Sequence, residues 1–271
     1  MFQSIILGII QGLTEFIPVS SSGHLALLPK LFNWEEQSTS FDVILHGGTL
    51  FALLFVYRFK LLDIFKSIGK DKTTNKLVIN IVIATIPAAV IGLIFKDTID
   101  DKLKSNWIIA FMLVQIGLLL ILADFYLKKR KPVQTKKPAT SGKGQYTSLS
   151  SLSALLIGLA QPISFIRGTS RSGITTLAGL TQKMDLKSAL DFSFLISIPI
   201  ITMAFAYGLL DILKNGAGDE SFSNMAAGFL ASFISGLIAI NFMLKFTARI
   251  GLKWFGVYTI ILGLVVILII I

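Results

Sequence analysis

Cysteine is absent from the 271-residue chain, which excludes disulfide bonds, thiolate metal sites and a thiol nucleophile. Charged residues make up only 15% of the chain, whereas a typical soluble domain has about 25%. Residues 1–16 lack the basic start of a cleavable signal peptide, which predicts insertion through the chain's own helices. The HExxH and DxDxDG metal signatures and the dinucleotide and Walker fingerprints are also missing from the sequence.

Apolar sequence is what the chain has in excess. Hydrophobic residues account for 54% of it, and the mean hydropathy is +0.77. This composition is too apolar for an ordinary soluble enzyme or a disordered chain, so it predicts an integral membrane protein. The apolar runs are continuous rather than alternating, which excludes a transmembrane β-barrel. The net charge of +10 therefore predicts basic cytoplasmic loops rather than binding of nucleic acid.

Six stretches are long enough to cross a bilayer, for which a helix needs about 20 mainly apolar residues. They are Phe41–Tyr57, Leu77–Phe95, Trp107–Leu127, Leu190–Leu213, Met225–Leu244 and Lys253–Ile271. Two further apolar regions, 2–32 and 149–182, are interrupted by the polar segments PVSSSGH (18–24) and RGTSRSG (167–173). Irregular backbone at membrane depth needs protein or water around it, so these regions predict re-entrant helix–loop–helix hairpins. The predicted fold is an all-α polytopic membrane protein with six transmembrane helices and two re-entrant hairpins.

The distribution of basic residues predicts the direction of the spans. Segments 58–76, 128–148 and 245–253 are rich in lysine and arginine, which predicts that they are cytoplasmic. Segments 96–106 and 214–224 are mixed or acidic and are predicted to lie outside. This assignment places both termini outside. It also makes the first hairpin enter the membrane from the outside and the second from the cytoplasm.

The two hairpins belong to two similar halves of a single membrane domain, 1–271. The halves, 1–127 and 149–271, are joined by the basic linker 128–148. Each half has a Gly-Leu pair, a serine-rich loop that ends in Ser-Gly, and a last span that starts at a tryptophan. Because the hairpins enter from opposite sides, the pattern predicts an inverted-topology repeat. Such repeats bring two broken elements together near the midplane, where the functional site lies.

The first loop carries residues suited to acid–base and nucleophilic chemistry. Gln11 and Glu15 share one face of a helix, and a carboxylate inside the membrane is a functional candidate by default. Ser20, Ser21, Ser22 and His24 follow within a few residues. A serine is a weak nucleophile unless a base is near, and both Glu15 and His24 are near in sequence. The alternatives are that Glu15 orders the loop, that the serines cap a helix, and that His24 is a buried structural residue.

The second loop has the composition of an anion-binding site. Ser170, Arg171, Ser172 and Thr175 lie where a helix is predicted to begin. The start of a helix favours phosphate, and arginine adds a bidentate charge. The alternative is a cytoplasmic positive anchor, which fits Arg167 better than Arg171. His46, a lone histidine in a predicted span, is taken as structural, with a position lining the cavity as the alternative.

Together the two loops predict phosphoryl transfer, in which positioning and charge neutralisation dominate. An acid, a nucleophile and an arginine would meet within the bilayer. The phosphate must then be attached to a group that reaches a site in the membrane. A lipid phosphate or diphosphate is the natural substrate.

The motifs QGLTEF (11–16), PVSSSGH (18–24) and RGTSRSGITT (167–176) resemble those of the undecaprenyl-diphosphate phosphatase family, also known for bacitracin resistance. FDVILHGGTL, ATIPAAVIGL and DFSFLISIP are similar to family stretches as well, so the resemblance covers nearly the whole chain. It implies hydrolysis of undecaprenyl diphosphate to the monophosphate on the outer face of the bacterial cytoplasmic membrane, which recycles the carrier for cell-wall synthesis. It also implies a divalent cation, Mg²⁺ or Ca²⁺.

The resemblance assigns roles to particular residues. It makes Gln11 and Glu15 the acid pair with metal or base roles, Ser21 the nucleophile or a phosphate contact, and His24 the base or a competing nucleophile. It places the substrate phosphates on a set of polar residues in the two loops, namely Ser20, Ser22, Ser170, Arg171, Ser172 and Thr175.

This chain departs from the family pattern at two positions. Gln11 is neutral, so Glu15 supplies the only carboxylate of the pair. Arg167 replaces the usual proline at the entry of the second loop and adds a positive charge there.

A transporter or flippase of polyprenyl phosphate lipids is the main rival, because paired re-entrant loops also occur in transporters. A flippase needs the arginine but no nucleophile, so the Ser–His–Glu loop favours an enzyme. A structural membrane subunit without enzymatic activity is a third alternative. The prenyl length, the metal, the nucleophile and the oligomeric state, with a homodimer as one alternative, stay open.

Overall fold

A computed structural model of the chain describes residues 1–95, 105–129, 148–218 and 220–270. These residues form ten α-helices and one 3₁₀ helix, Gln161–Phe165, and no strand is present among them. In chain order the α-helices are α1 (Phe2–Phe16), α2 (Ser21–Phe32), α3 (Thr39–Ser67), α4 (Lys72–Ile94), α5 (Asn106–Lys129), α6 (Ser151–Ala160), α7 (Arg171–Thr181), α8 (Leu186–Asn215), α9 (Phe222–Ile250) and α10 (Lys253–Ile270).

Five of these helices, α3, α4, α5, α8 and α9, are long and apolar enough to cross a membrane. Phenylalanine and leucine side chains on them are widely exposed, as expected for helices that face lipid. The all-helical, polytopic membrane class predicted from sequence is therefore confirmed. The sixth predicted span corresponds to α10, which is apolar but has only 18 residues in the described part of the chain.

The two interrupted apolar regions have the predicted helix–loop–helix structure. The first consists of α1 and α2, which are separated at Pro18, a residue type that disfavours continuation of a helix. The second consists of α6, the 3₁₀ helix and α7. Ser20 precedes α2 and Ser170 precedes α7, and each side chain caps the helix that it precedes. The breaks thus arise from ordinary stop and start signals in the sequence.

Several helices extend beyond the predicted membrane spans, most clearly α3 and α9. The helix α3 continues ten residues beyond the predicted end at Tyr57, to Ser67, and α9 continues beyond Leu244 to Ile250. The charged residues assigned to loops there, such as Arg58 and Lys245, are therefore helical. A change from apolar to charged side chains marks where a helix leaves lipid, but the backbone hydrogen bonds continue until a capping signal such as Gly251.

Equivalent helices of the two halves pack in equivalent pairs. The first helix of each half packs against the fourth helix of the other, α1 on α9 and α6 on α4, and the last helices, α5 and α10, pack together. A side chain at Gly12 would overlap the Ser232 carbonyl of α9, and one at Gly158 would overlap Ala84 of α4. The glycines therefore permit the close approach of the crossing helices. This pairing is compatible with two similar halves, which stay a prediction, and most of linker 128–148 lies outside the described residues.

A polar contact between the helices α3 and α8 fixes their relative position. Tyr57 and Lys60 of α3 both donate to the Asp191 carboxylate of α8, each at 2.6 Å. Phe192 and Phe194 of α8 are fully buried beside it. Both helices contribute residues to the cavity described next.

Candidate active site

The starts of α2 and α7 carry the same capping arrangement. The Ser20 hydroxyl accepts from the Gly23 N–H at 3.2 Å, and the Ser170 hydroxyl accepts from the Gly173 N–H at 3.1 Å. In a helix the first backbone N–H groups have no partner within the helix and carry a partial positive charge. The two loops that precede these ends are in contact, since the Gly168 N–H of the second loop donates to a serine hydroxyl of the first, Ser22 Oγ, at 3.3 Å.

Glu15, at the end of α1, lies between these two helix starts and is 8% exposed. Ser21, the first residue of α2, donates its hydroxyl to Glu15 Oε2 at 2.8 Å. Arg171, the first residue of α7, donates from Nη2 to Glu15 Oε1 at 2.9 Å. Gln11 Nε2 donates to Oε2 from the preceding turn of α1, at 3.1 Å. One buried carboxylate thus joins the candidate nucleophile and the candidate phosphate-binding arginine.

A cavity of about 190 Å³ opens beside this carboxylate. It lies between the end of α1, the starts of α2 and α7, and the facing sides of α3 and α8. Three apolar residues of α8, Ile200, Ile201 and Ala204, form one wall, near the middle of that 30-residue helix. The polar side chains that line it are Thr14, Glu15, Ser21, Ser22, His46, Ser164, Thr169, Ser170 and Arg171.

Arg171 lines this cavity and has hydrogen-bond donor capacity left over. Its side chain is 13% exposed, and Nη2 is used on Glu15. Its Nη1 is buried and has no hydrogen-bond partner among the described residues, and the same holds for Thr169 Oγ1. A buried guanidinium nitrogen without a partner is costly, so this arrangement is suited to binding an anion. Two helix starts beside it favour phosphate for the same electrostatic reason.

His24 lies elsewhere and is not among the residues that line the cavity. The ring is 6% exposed, with Nδ1 at 2.7 Å from the Ser20 carbonyl oxygen and Nε2 at 2.7 Å from the Tyr258 hydroxyl. Both nitrogens therefore have partners, and the ring also stacks on Tyr258. The geometry favours the structural alternative for His24, and its catalytic role stays a prediction that these contacts do not support.

Three of the residues predicted to bind phosphate do not line the cavity. Ser20 caps α2, Ser172 bonds to Ser170 at 3.2 Å, and Thr175 bonds to the Arg171 carbonyl and to Ser193. All three are almost completely buried. In the described structure they shape the loops, while Ser22, Ser170 and Arg171 reach the cavity.

His46 is the lining residue that the sequence analysis set aside as structural. Its Nδ1 lies 2.8 Å from the Asp42 carbonyl oxygen, and its Nε2 lies 3.8 Å from Glu15 Oε2. The signal that could have found it is the one applied to Glu15, an ionisable residue inside a predicted span. Position alone could not show that α3 turns this side chain toward the cavity.

The side chains around Glu15 could hold a divalent cation only together with a substrate phosphate. No group of three or more histidine, cysteine, aspartate or glutamate side chains that could hold a metal occurs in the part of the chain that the structure describes. Mg²⁺ is often bound by one or two carboxylates together with substrate phosphates. Glu15 supplies one carboxylate, and Gln11 Oε1 beside it is buried without a partner. A cation shared with a substrate phosphate is therefore compatible with this donor set.

Comparison with known proteins agrees with the motif resemblance. The family model described as "Bacitracin resistance protein BacA" matches residues 4–265. Undecaprenyl-diphosphatase 1 of Pseudoalteromonas translucida is 40% identical, over 97% of this chain and 96% of that protein. Undecaprenyl-diphosphatase 2 of Stutzerimonas stutzeri is 38% identical, over 98% and 96%, and the undecaprenyl-diphosphatase of Saccharophagus degradans is 39% identical, over 97% and 96%. The chain therefore belongs to the bacitracin resistance protein BacA family.

Proposed function

We propose that this protein hydrolyses undecaprenyl diphosphate to undecaprenyl phosphate and inorganic phosphate, and so recycles the lipid carrier for cell-wall synthesis. The observation that carries the proposal is the contact of one buried carboxylate, Glu15, with both Ser21 and Arg171 beside a cavity among apolar helices. The names of the relatives, all undecaprenyl-diphosphatases, support the same activity.

The diphosphate binds first, through positive charge. Arg171 Nη1 and the N–H groups at the starts of α2 and α7 donate hydrogen bonds to the phosphate oxygens, while Arg171 Nη2 remains bonded to Glu15. The hydroxyls of Ser22, Ser170 and Thr169 add neutral donors around the same cavity. The prenyl chain leaves the cavity between the apolar sides of the helices, since Ile200 and Ala204 form one wall.

Ser21 is the nucleophile and Glu15 its base, because the hydroxyl already donates to that carboxylate at 2.8 Å. A bond forms from Ser21 Oγ to the terminal phosphorus as the bond to the bridging oxygen breaks. The Ser21 proton passes through Glu15 to the departing lipid monophosphate. Water then attacks the phosphoserine and the phosphorus–Oγ bond breaks. One water proton returns through Glu15 to Ser21, and the other leaves on inorganic phosphate.

A divalent cation, Mg²⁺ or Ca²⁺, when bound, would neutralise charge on the diphosphate. Glu15 and Gln11 Oε1 are the protein ligands that we propose for it, together with the substrate. Chelation should then weaken substrate binding without disturbing the helices, which a comparison of KM and thermal stability with and without chelator would measure.

Removal of the Ser21 hydroxyl tests the activity and the nucleophile together. The purified protein in detergent should release phosphate from undecaprenyl diphosphate. Ser21→Ala should lower turnover by at least about 10²-fold and abolish acid-stable phosphoenzyme, whereas Ser223→Ala, at an exposed position, should not change either. A flippase needs no nucleophile, so a wild-type protein that moves the lipid across vesicles but releases no phosphate would support that rival.

The membrane arrangement that we propose is six spanning helices with two re-entrant hairpins, in the bacterial cytoplasmic membrane, with the cavity open to the outer side. The five long apolar helices and the broken α1–α2 and α6–α7 segments support it. The equivalent packing pairs support an inverted repeat.

Cysteine labelling tests this topology cleanly, because the chain has no cysteine of its own. In intact cells an impermeant reagent should label Glu35→Cys, in the segment between α2 and α3, and should not label Lys70→Cys or Thr140→Cys until the membrane is opened. Thr140 lies in the basic linker, outside the described residues. Labelling of Thr140→Cys in intact cells would show that the spans cross the membrane in the opposite direction.

A further inference from the structure

His46 forms a hydrogen bond to the backbone that determines which of its two ring nitrogens can act as an acceptor. Its Nδ1 lies 2.8 Å from the Asp42 carbonyl oxygen, one turn earlier in α3. A carbonyl oxygen can only accept, so Nδ1 carries the hydrogen of the neutral ring. Its Nε2 then presents a lone pair. The side chain is 39% exposed, and it lines the same cavity as Ser21 and Arg171.

The His46 Nε2 and the catalytic carboxylate are spaced to share one water molecule. They are 3.8 Å apart, which is too far for a direct hydrogen bond. A polar separation beyond about 3.5 Å is typical of groups bridged by water. The nearer carboxylate oxygen is Glu15 Oε2, which also receives the Ser21 hydroxyl. A water between Nε2 and Oε2 would therefore share the carboxylate oxygen that contacts Ser21 Oγ, within reach of a phosphate carried by that serine.

The other histidine of the chain cannot take this position in the described structure. His24 Nδ1 also contacts a backbone carbonyl, that of Ser20, but its Nε2 lies 2.7 Å from the Tyr258 hydroxyl. The lone pair of His24 is used there, away from the cavity. His46 Nε2, in contrast, faces the cavity.

We infer that His46 positions the water that hydrolyses the phosphoserine in the second step of the reaction. The inference rests on the proposed function and extends it. One hydrogen of the water points to His46 Nε2 and the other to Glu15 Oε2, which aims the oxygen at phosphorus. The bond from the water oxygen to phosphorus forms as the bond to Ser21 Oγ breaks. The proton given to Glu15 continues to Ser21 Oγ, and the hydrogen directed at His46 stays with the released phosphate. His46 thus undergoes no net change.

Two amide substitutions separate this role from a structural one. The glutamine of His46→Gln places its amide near the position of Nε2, whereas the asparagine of His46→Asn places its amide near the position of Nδ1. Gln therefore preserves the contact with water, and Asn preserves the contact with the Asp42 carbonyl. His46→Leu removes both. All three are compared with wild type in detergent for kcat, KM, thermal stability and the amount of phosphoenzyme after acid quench.

We expect His46→Gln to keep kcat within about fivefold of wild type. We expect His46→Asn and His46→Leu to lose about 10²-fold in kcat, since a small misplacement of a reacting group can cost that much. KM should fall together with kcat, so that kcat/KM, which reports the first step, is little changed. Phosphoenzyme should accumulate in these two variants, because only its hydrolysis is slowed. Should His46→Leu not fold, the Gln–Asn contrast alone decides the matter.

Several outcomes would overturn the role of His46. They are equal kcat values for the Gln and Asn variants, rescue by Asn rather than Gln, a change confined to KM, and less phosphoenzyme than in wild type. Failure of the proposed function gives a different result, namely no phosphate release by the wild-type protein or a fully active Ser21→Ala variant.

Discussion

Replacement of Glu15 by glutamine is expected to lower turnover by at least about 10²-fold, the low end for loss of an acid–base group. Glutamine has nearly the same shape and still accepts a hydrogen bond, but it takes no proton from Ser21. It also leaves the guanidinium of Arg171 without its counter-charge. Phosphate release in detergent at saturating divalent cation measures the effect, with Glu36→Gln, at an exposed position, as the matched control.

Thermal stability separates the chemical effect of Glu15→Gln from damage to the fold. If the variant has a lower Tm but normal turnover below its melting range, Glu15 orders the loop and does not act in the reaction. If the variant retains near-normal activity at saturating cation, the assignment of the base is wrong. Glu15→Asp is a useful companion, because it keeps the charge but withdraws the carboxylate by one methylene.

Substitution of the neighbouring Gln11 tests the second member of the acid pair. Gln11→Glu is expected to be tolerated when a divalent cation is present. Gln11 is fully buried and lies 3.1 Å from Glu15 Oε2, so a second carboxylate there needs a cation or a proton between the two. Activity of this variant should therefore depend on the cation more steeply than wild-type activity, measured as turnover against cation concentration. Equal dependence would argue against Gln11 as a ligand.

Arg171→Lys should be nearly as damaging as loss of the acid, with turnover reduced by about 10²-fold or more. Lysine keeps the positive charge but has a single nitrogen. Arg171 donates from Nη2 to Glu15, and its Nη1 has no partner among the described residues. We propose that Nη1 binds the substrate phosphate, and a lysine cannot make both contacts at once. We expect KM for undecaprenyl diphosphate to rise together with the fall in turnover.

Arg167→Pro is the control for the effect of charge alone, and it should be mild by comparison. Arg167 is the nearest other arginine in the sequence, but it lies in a separate cavity, together with Lys30 and Glu36. Proline is also the residue that the family resemblance leads one to expect there. If Arg171→Lys has the turnover of the wild-type protein and Arg167→Pro is inactive, the wrong arginine has been assigned to the phosphate.

The local structure of the site followed from the sequence because its signals are local. Pro18 stops a helix, Ser20 and Ser170 start new ones, and the flanking apolar runs are too short to span a membrane. The same reasoning located Glu15 and Arg171, since a charge within an apolar segment is retained only for a reason. Helix ends were predicted less well, as the longer α3 shows, because polarity marks the membrane boundary rather than the end of hydrogen bonding.

The sequence by itself determined the class of protein, its helices and the residue types of the site, since composition, hydropathy and capping depend on neighbours along the chain. Only the tertiary structure decided which of these residues meet. Ser21 and Arg171 are 150 positions apart, and both reach Glu15 because two helix starts converge. For the same reason His46 lines the cavity, whereas the ring of His24 lies against Ser20 and Tyr258. The direction of a side chain depends on how its helix is rotated against its neighbours, and that rotation is set by packing between distant segments such as α1 on α9 and α3 on α8.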